Sequence, residues 1–80
     1  MPRLQPHVRK AMIRNNATIL ATEIGLKNLT FENVAERCPV PTSAGTVRHY
    51  FKYLHDLWLE AVADNDDLHK QAVEMGLINE

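Results

Sequence analysis

Cysteine is nearly absent from this chain: Cys38 stands alone among 80 residues. No internal disulfide can brace the fold, and no Cys/His cluster has the spacing of a zinc site. A reduced, cytoplasmic protein with no metal and no other cofactor is expected. No apolar run approaches the roughly 20 residues that a membrane-spanning helix needs. The charged start MPRLQPHVRK is not followed by the apolar stretch of a secretory signal, so neither membrane insertion nor export is expected. Polar and apolar residues nowhere alternate as a half-buried strand requires. Catalytic constellations are missing as well. His49, His55 and His69 form no i, i+4 pair, no His-Glu-x-x-His pattern occurs, and no nucleophile can be given both a base and an orienting partner. Glu60, Asp64 and Asp67 line one helical face, which reads as hydrated surface. The chain is not expected to be an enzyme.

What is present is helical periodicity in a chain long enough for one small domain, whose single core supplies only a few kcal/mol. Apolar residues at 45% with aromatics at 6% fit an all-α globule. A small bundle of four or five helices is therefore expected. Pro2 and Pro6 mark a basic N-terminal arm over residues 1–7, near Arg3 and the Arg9-Lys10 pair. Such an arm either lies along DNA or is a solvated terminus. From His7 to Ile24 a stripe through Ile13, Ala17, Leu20 and Ile24 predicts a long helix, which Gly25 ends as a left-handed cap residue. Asn15, Asn16 and Arg14 are expected to face water.

Residues 29–57, LTFENVAERCPVPTSAGTVRHYFKYLHDL, carry the densest signal. Thr30 reads as the N-cap of a short helix, with Glu32 in its first turn and Leu29 and Val34 placed as a hydrophobic staple. Phe31, Val34, Ala35 and Cys38 share one face of that helix. Pro39 and Pro41 disfavour helical geometry at Cys38 and Val40, which closes it in a stiff turn. Cys38 on the apolar face reads as a buried, inert thiol. Thr42 or Ser43 then caps a second short helix with a stripe through Val47, Tyr50, Phe51 and Leu54. Two such helices bury too little alone and must pack on each other and on longer neighbours, which predicts a helix-turn-helix over about residues 30–52.

Thr30, Val34-Ala35, Gly45-Thr46, Tyr50-Phe51 and Leu57 resemble the DNA-binding segment of the tetracycline-repressor (TetR) family of bacterial regulators, and with Gly25 the resemblance covers about residues 8–62. Three departures stand out. The turn carries about two extra residues, at Cys38-Pro39-Val40-Pro41-Thr42. Arg48 stands where the family usually has a Tyr that touches the phosphate backbone, and Leu54 where it usually has a Lys. The larger ligand-binding half of the family is missing from a chain that ends at Glu80, so no small-molecule inducer is expected. The resemblance implies a transcriptional regulator, in the family a repressor, acting on double-stranded DNA. Thr30 would approach a phosphate, Arg48 and Lys52 would supply phosphate contacts in place of the missing Tyr and Lys, and Thr42, Ser43, Gly45, Thr46, Arg48 and His49 would face a half-site, where Arg48 and His49 each meet either a base or a phosphate. Gly45 is costly near the start of a helix, by up to ~1 kcal/mol against alanine, and either close approach to DNA or easing of the long turn would account for it.

Charge is divided along the chain. Residues 1–53 hold eight Lys/Arg against three acids, a net of +5, whereas residues 54–80 hold one Lys against seven acids, a net of −6. Local positive charge is what phosphate binding requires, although ordinary solvated surface gives the same count. In the acidic segment, residues 56–80, Asp56 reads as the cap of a last helix, either continuous or broken near residues 63–66 with Asp66 as a fresh cap. Its apolar set Leu68, Ala72, Met75, Leu77 and Ile78 exceeds what the helix-turn-helix can cover. These residues are a candidate homodimer or partner surface, or else a tail folded back onto the core. Two readings of function follow: a small sequence-specific DNA-binding regulator, or a protein-interaction module, adaptor or inhibitor, that uses its acidic C-terminal helix.

Overall fold

The structure, a computed structural model, describes residues 5–63 and 65–78. Among them it is all-helical: α1 (Pro6–Ile24), a 3₁₀ turn (Leu26–Asn28), α2 (Phe31–Arg37), α3 (Ala44–Tyr50), α4 (Leu54–Val62) and α5 (Asp66–Glu74). Pro6 takes the first position of α1, where its missing N–H is no loss and its fixed φ suits a helix. The expected basic arm over residues 1–7 is thereby shortened, since Pro6 and His7 belong to α1, and residues 1–4 lie outside the described residues. Arg14 and Asn15 are exposed as expected. Asn16 is instead half-buried, its amide donating to the Met12 carbonyl at 2.9 Å.

Gly25 ends α1 with φ +92° and ψ 143°, a positive-φ conformation but not the left-handed helical cap expected. The chain therefore swings out into the 3₁₀ turn, and the Asn28 side-chain amide donates to the Ile24 carbonyl at 2.6 Å, satisfying one of the last acceptors of α1. A Cβ at Gly25 would meet Asn28 Nδ2 at 3.5 Å and Gln71 Oε1 at 3.7 Å, ordinary contacts. The cost of Gly25→Ala is thus backbone strain, about 1–3 kcal/mol. Urea unfolding is expected to show a lower midpoint at unchanged slope.

The two short helices are built by their caps. Thr30 Oγ1 accepts from the Asn33 N–H at 3.2 Å while Asn33 Oδ1 accepts from the Thr30 N–H at 2.8 Å, a reciprocal capping box with Asn in the usual Glu place. Asn33 also donates from Nδ2 to the Asn28 carbonyl at 2.8 Å, which ties α2 to the 3₁₀ turn. Cys38, at ψ 136°, takes the extended geometry that Pro39 imposes and stops α2. Six residues, 38–43, separate α2 from α3, longer than the usual three or four of a helix-turn-helix. Ser43, not Thr42, is the cap of α3, accepting from the Thr46 N–H at 3.1 Å.

Beyond α3 the boundaries differ from the sequence expectation. Phe51, at φ −128° and ψ 89°, already leaves the helix. Leu54 accordingly starts α4 and is not on the stripe of α3, and Asp56 lies in the first turn of α4 and does not cap it. The last segment is broken, and Asn65, not Asp66, caps α5 by accepting from the Leu68 N–H at 3.0 Å. Gly76, at φ +76°, closes α5 in a Schellman motif, with Leu77 N–H donating to Ala72 O at 2.9 Å and Gly76 N–H to Val73 O at 3.0 Å.

Every helix contributes to one core, whose largest fully buried side chains are Ile13, Leu26, Leu29, Val34, Val47, Leu57 and Leu68. α1 lies against both α2 and α4, α2 against α3, and α5 against α4 and the 3₁₀ turn. Polar bonds fix these packings. Thr18 Oγ1 donates to the Ala61 carbonyl at 3.0 Å, Trp58 Nε1 to the Leu29 carbonyl at 2.9 Å, and the Leu26 N–H to Gln71 Oε1 at 2.8 Å.

Candidate nucleic-acid interface

The α2–turn–α3 unit brings most of the expected DNA-facing residues to its surface. Ser43, Gly45, Arg48, His49 and Lys52 are exposed, and Thr30, Thr42 and Thr46 are half-buried. The Ser43 and Thr46 hydroxyls lie 3.0 Å apart and bond each other, so between them one O–H remains for an outside acceptor. Thr30 uses an oxygen lone pair on the Asn33 N–H and keeps its proton free. Thr42 differs: its Oγ1 donates to the Val40 carbonyl at 2.7 Å, so its proton serves the turn and is not on offer to a phosphate.

Gly45 is informative by what it does not do. Its φ is not positive, and a Cβ there would meet only Ser43 Oγ at 3.7 Å. Easing the turn therefore does not require glycine, and neither does close packing inside the chain.

Cations around α3 rest on rings. The Arg48 guanidinium lies 5.1 Å from the centroid of Phe31 in α2, Lys52 Nζ is 5.5 Å from Tyr53, and Lys10 Nζ of α1 is 5.5 Å from Phe51. Each ring attracts its cation through the quadrupole and limits where it can swing. His49 meets Tyr50 edge-on at 5.2 Å and 78°. Tyr50 is half-buried and Tyr53 lies at the rim, 61% exposed. Lys10 and Lys52 border an open cleft of about 500 Å³ that is also lined by Asp56 and Glu60. Arg37 is neutralised by Glu23 at 2.9 Å, an exposed pair of small energetic weight.

Cys38 is half-buried at the end of α2, and burial pushes its thiol up from the ordinary value, while a hydrogen bond with Thr42 and the charge of Arg9 pull the other way. A raised value keeps the thiol neutral at ordinary pH. Nε of Arg9 is buried without a hydrogen-bond partner. Among the described residues no three His, Cys, Asp or Glu side chains are grouped to hold a metal, and no helix is long and apolar enough to cross a membrane. Asp64 of the acidic face lies outside the described residues.

The candidate dimer or partner surface is corrected in part. Leu68 and Ala72 are fully buried in the chain's own core, and Met75, Leu77 and Ile78 are half-buried against it. α5 folds back onto α4 and the 3₁₀ turn, where Gln71 Oε1 accepts from the Leu26 N–H, which leaves Leu68 and Ala72 unavailable to a second molecule. Sequence periodicity also missed Phe31 and Lys10 as members of the α3 surroundings. Phe31 was accounted for as a stripe residue, and nothing in a linear pattern places a ring under a side chain seventeen positions on. Comparison with protein-family models, curated proteins and solved structures yields no match for this chain.

Proposed function

We propose that the chain is a small sequence-specific DNA-binding regulator of helix-turn-helix type. The observation that carries this reading is the exposed row on α3, Gly45, Arg48 and His49, with Lys52 just beyond it, presented by a helix packed on a capped partner helix. The resemblance of Thr30, Gly45-Thr46 and Tyr50-Phe51 to the TetR-type segment supports the same reading. In it, α3 enters the major groove, the Ser43–Thr46 hydroxyl pair and His49 face base edges, and Thr30, Arg48 and Lys52 meet phosphates. Two copies about a two-fold axis would read half-sites about 34 Å apart, through an interface that excludes the buried Leu68 and Ala72.

Gly45→Ala tests the reading directly. Alanine is the better helix former by up to ~1 kcal/mol and has room inside the chain, so thermal stability is expected to hold or rise. Duplex affinity is expected to fall, because the added methyl stands between the α3 backbone and the groove. A variant that binds duplex as well as the unsubstituted chain would remove close approach at Gly45 from the reading. A second reading, an adaptor that docks a basic protein, is favoured by one observation: Asp56, Asp66, Asp67 and Glu74 are all exposed on α4 and α5. Absence of duplex binding together with capture of a basic peptide would favour it.

A further inference from the structure

Phe31 opens α2 directly after the Thr30 cap, and its ring is half-buried against the core. The reciprocal Thr30–Asn33 bonds fix the backbone on which that ring is mounted. Arg48, on the neighbouring helix, is exposed and has no carboxylate partner among the described residues, yet its guanidinium is held 5.1 Å from the centroid of the Phe31 ring. A guanidinium over a ring uses its face for the contact and keeps its N–H groups at the edges of the plane. Those edges are what a bidentate contact to a phosphate requires, and a plane held in advance loses less freedom on binding.

Resting on the DNA-binding reading, we infer that Phe31 is a positioning residue that holds Arg48 for a phosphate, not for a base. The direction follows from where the ring sits. The first helix of a helix-turn-helix crosses the sugar–phosphate backbone, whereas the opening turn of the second meets base edges. The Arg48 guanidinium lies over the ring of Phe31, the first residue of α2. It therefore sits on the backbone side of the motif. A flexible lysine at this place keeps the charge but loses the planar fork.

The test is a double-mutant cycle on duplex binding, with Phe31→Leu, Phe31→Tyr and Arg48→Ala in the full chain. Arg48→Ala is expected to weaken binding to all sequences alike and to reduce the slope of log K against log salt by about 0.9. Phe31→Leu, which keeps apolar bulk and loses the ring, is expected to weaken binding about 2- to 5-fold. The same change is expected to do nothing in the Arg48→Ala background, and Phe31→Tyr is expected to restore affinity. In the free protein the Arg48 δ-protons are expected to show an upfield ring-current shift that Phe31→Leu abolishes. Additive losses in the cycle would overturn the inference while leaving DNA binding intact. So would a change of base preference on Arg48→Ala, or the absence of the ring-current shift. No duplex binding by the unsubstituted chain would overturn the DNA reading, and this inference with it.

Discussion

Truncating Leu68 to alanine is expected to destabilise the fold by about 2–5 kcal/mol. Leu68 is 0% exposed and sits on the side of α5 that meets α4 and the 3₁₀ turn. Removing its isopropyl group loses the transfer free energy and leaves a cavity that α5 cannot fully close, since Gln71 ties it to Leu26. An 80-residue domain has in total only about 4–12 kcal/mol of stability, so a loss of this size consumes a large share of it. Thermal unfolding followed by circular dichroism is expected to show the midpoint falling by on the order of 10–30 °C. The opposite result, an unchanged melting curve with altered self-association, would return Leu68 to the surface role that its sequence pattern suggested.

Duplex affinity is expected to fall steeply with salt. Three cations held on rings, Lys10, Arg48 and Lys52, surround α3. If each neutralises one phosphate, log K falls against log salt with a slope of about −2.7 per chain, a loss of roughly 40-fold between 50 and 200 mM. Two chains on one site about double the slope. Asp56 and Glu60 line the same cleft as Lys10 and Lys52, and a slope nearer −1 would mean that one cation of the three meets a phosphate, which Arg48→Ala would identify. A flat response, or no binding at low salt, would remove DNA as the partner and direct attention to the exposed acids of α4 and α5.

Particular residues explain which parts of the fold were legible in the sequence. Local chemistry was readable wherever one residue type decides the backbone: Thr30 as a cap, Pro39 as the end of α2, Gly25 as the end of α1. The break after Tyr50 was not, because Phe51, Lys52 and Tyr53 include no glycine or proline and the apolar spacing runs on through Leu54. Asn33 was missed because the familiar capping box has a longer Glu or Gln at that position. For Leu68 and Ala72 the sequence left open a partner surface or a tail folded back onto the core, because periodicity states which side of α5 is apolar but not what lies against it; the second is found. That answer came from the Gln71–Leu26 bond, between residues 45 positions apart. For the candidate interface, exposure of Arg48 and Gly45 was anticipated, whereas the Phe31 ring under Arg48 depends on how α2 and α3 cross.

The chain also carries its own optical reporter. Trp58 is the sole tryptophan, and its indole N–H bonds the carbonyl of Leu29, the residue just before the Thr30 cap. Fluorescence from this one indole therefore reads the junction between α4 and the start of α2. A shift of α2 on engaging a duplex would change the emission without any label. The same signal, followed after rapid mixing, would time the docking of the helix-turn-helix onto α4 during refolding, separately from the folding-back of α5.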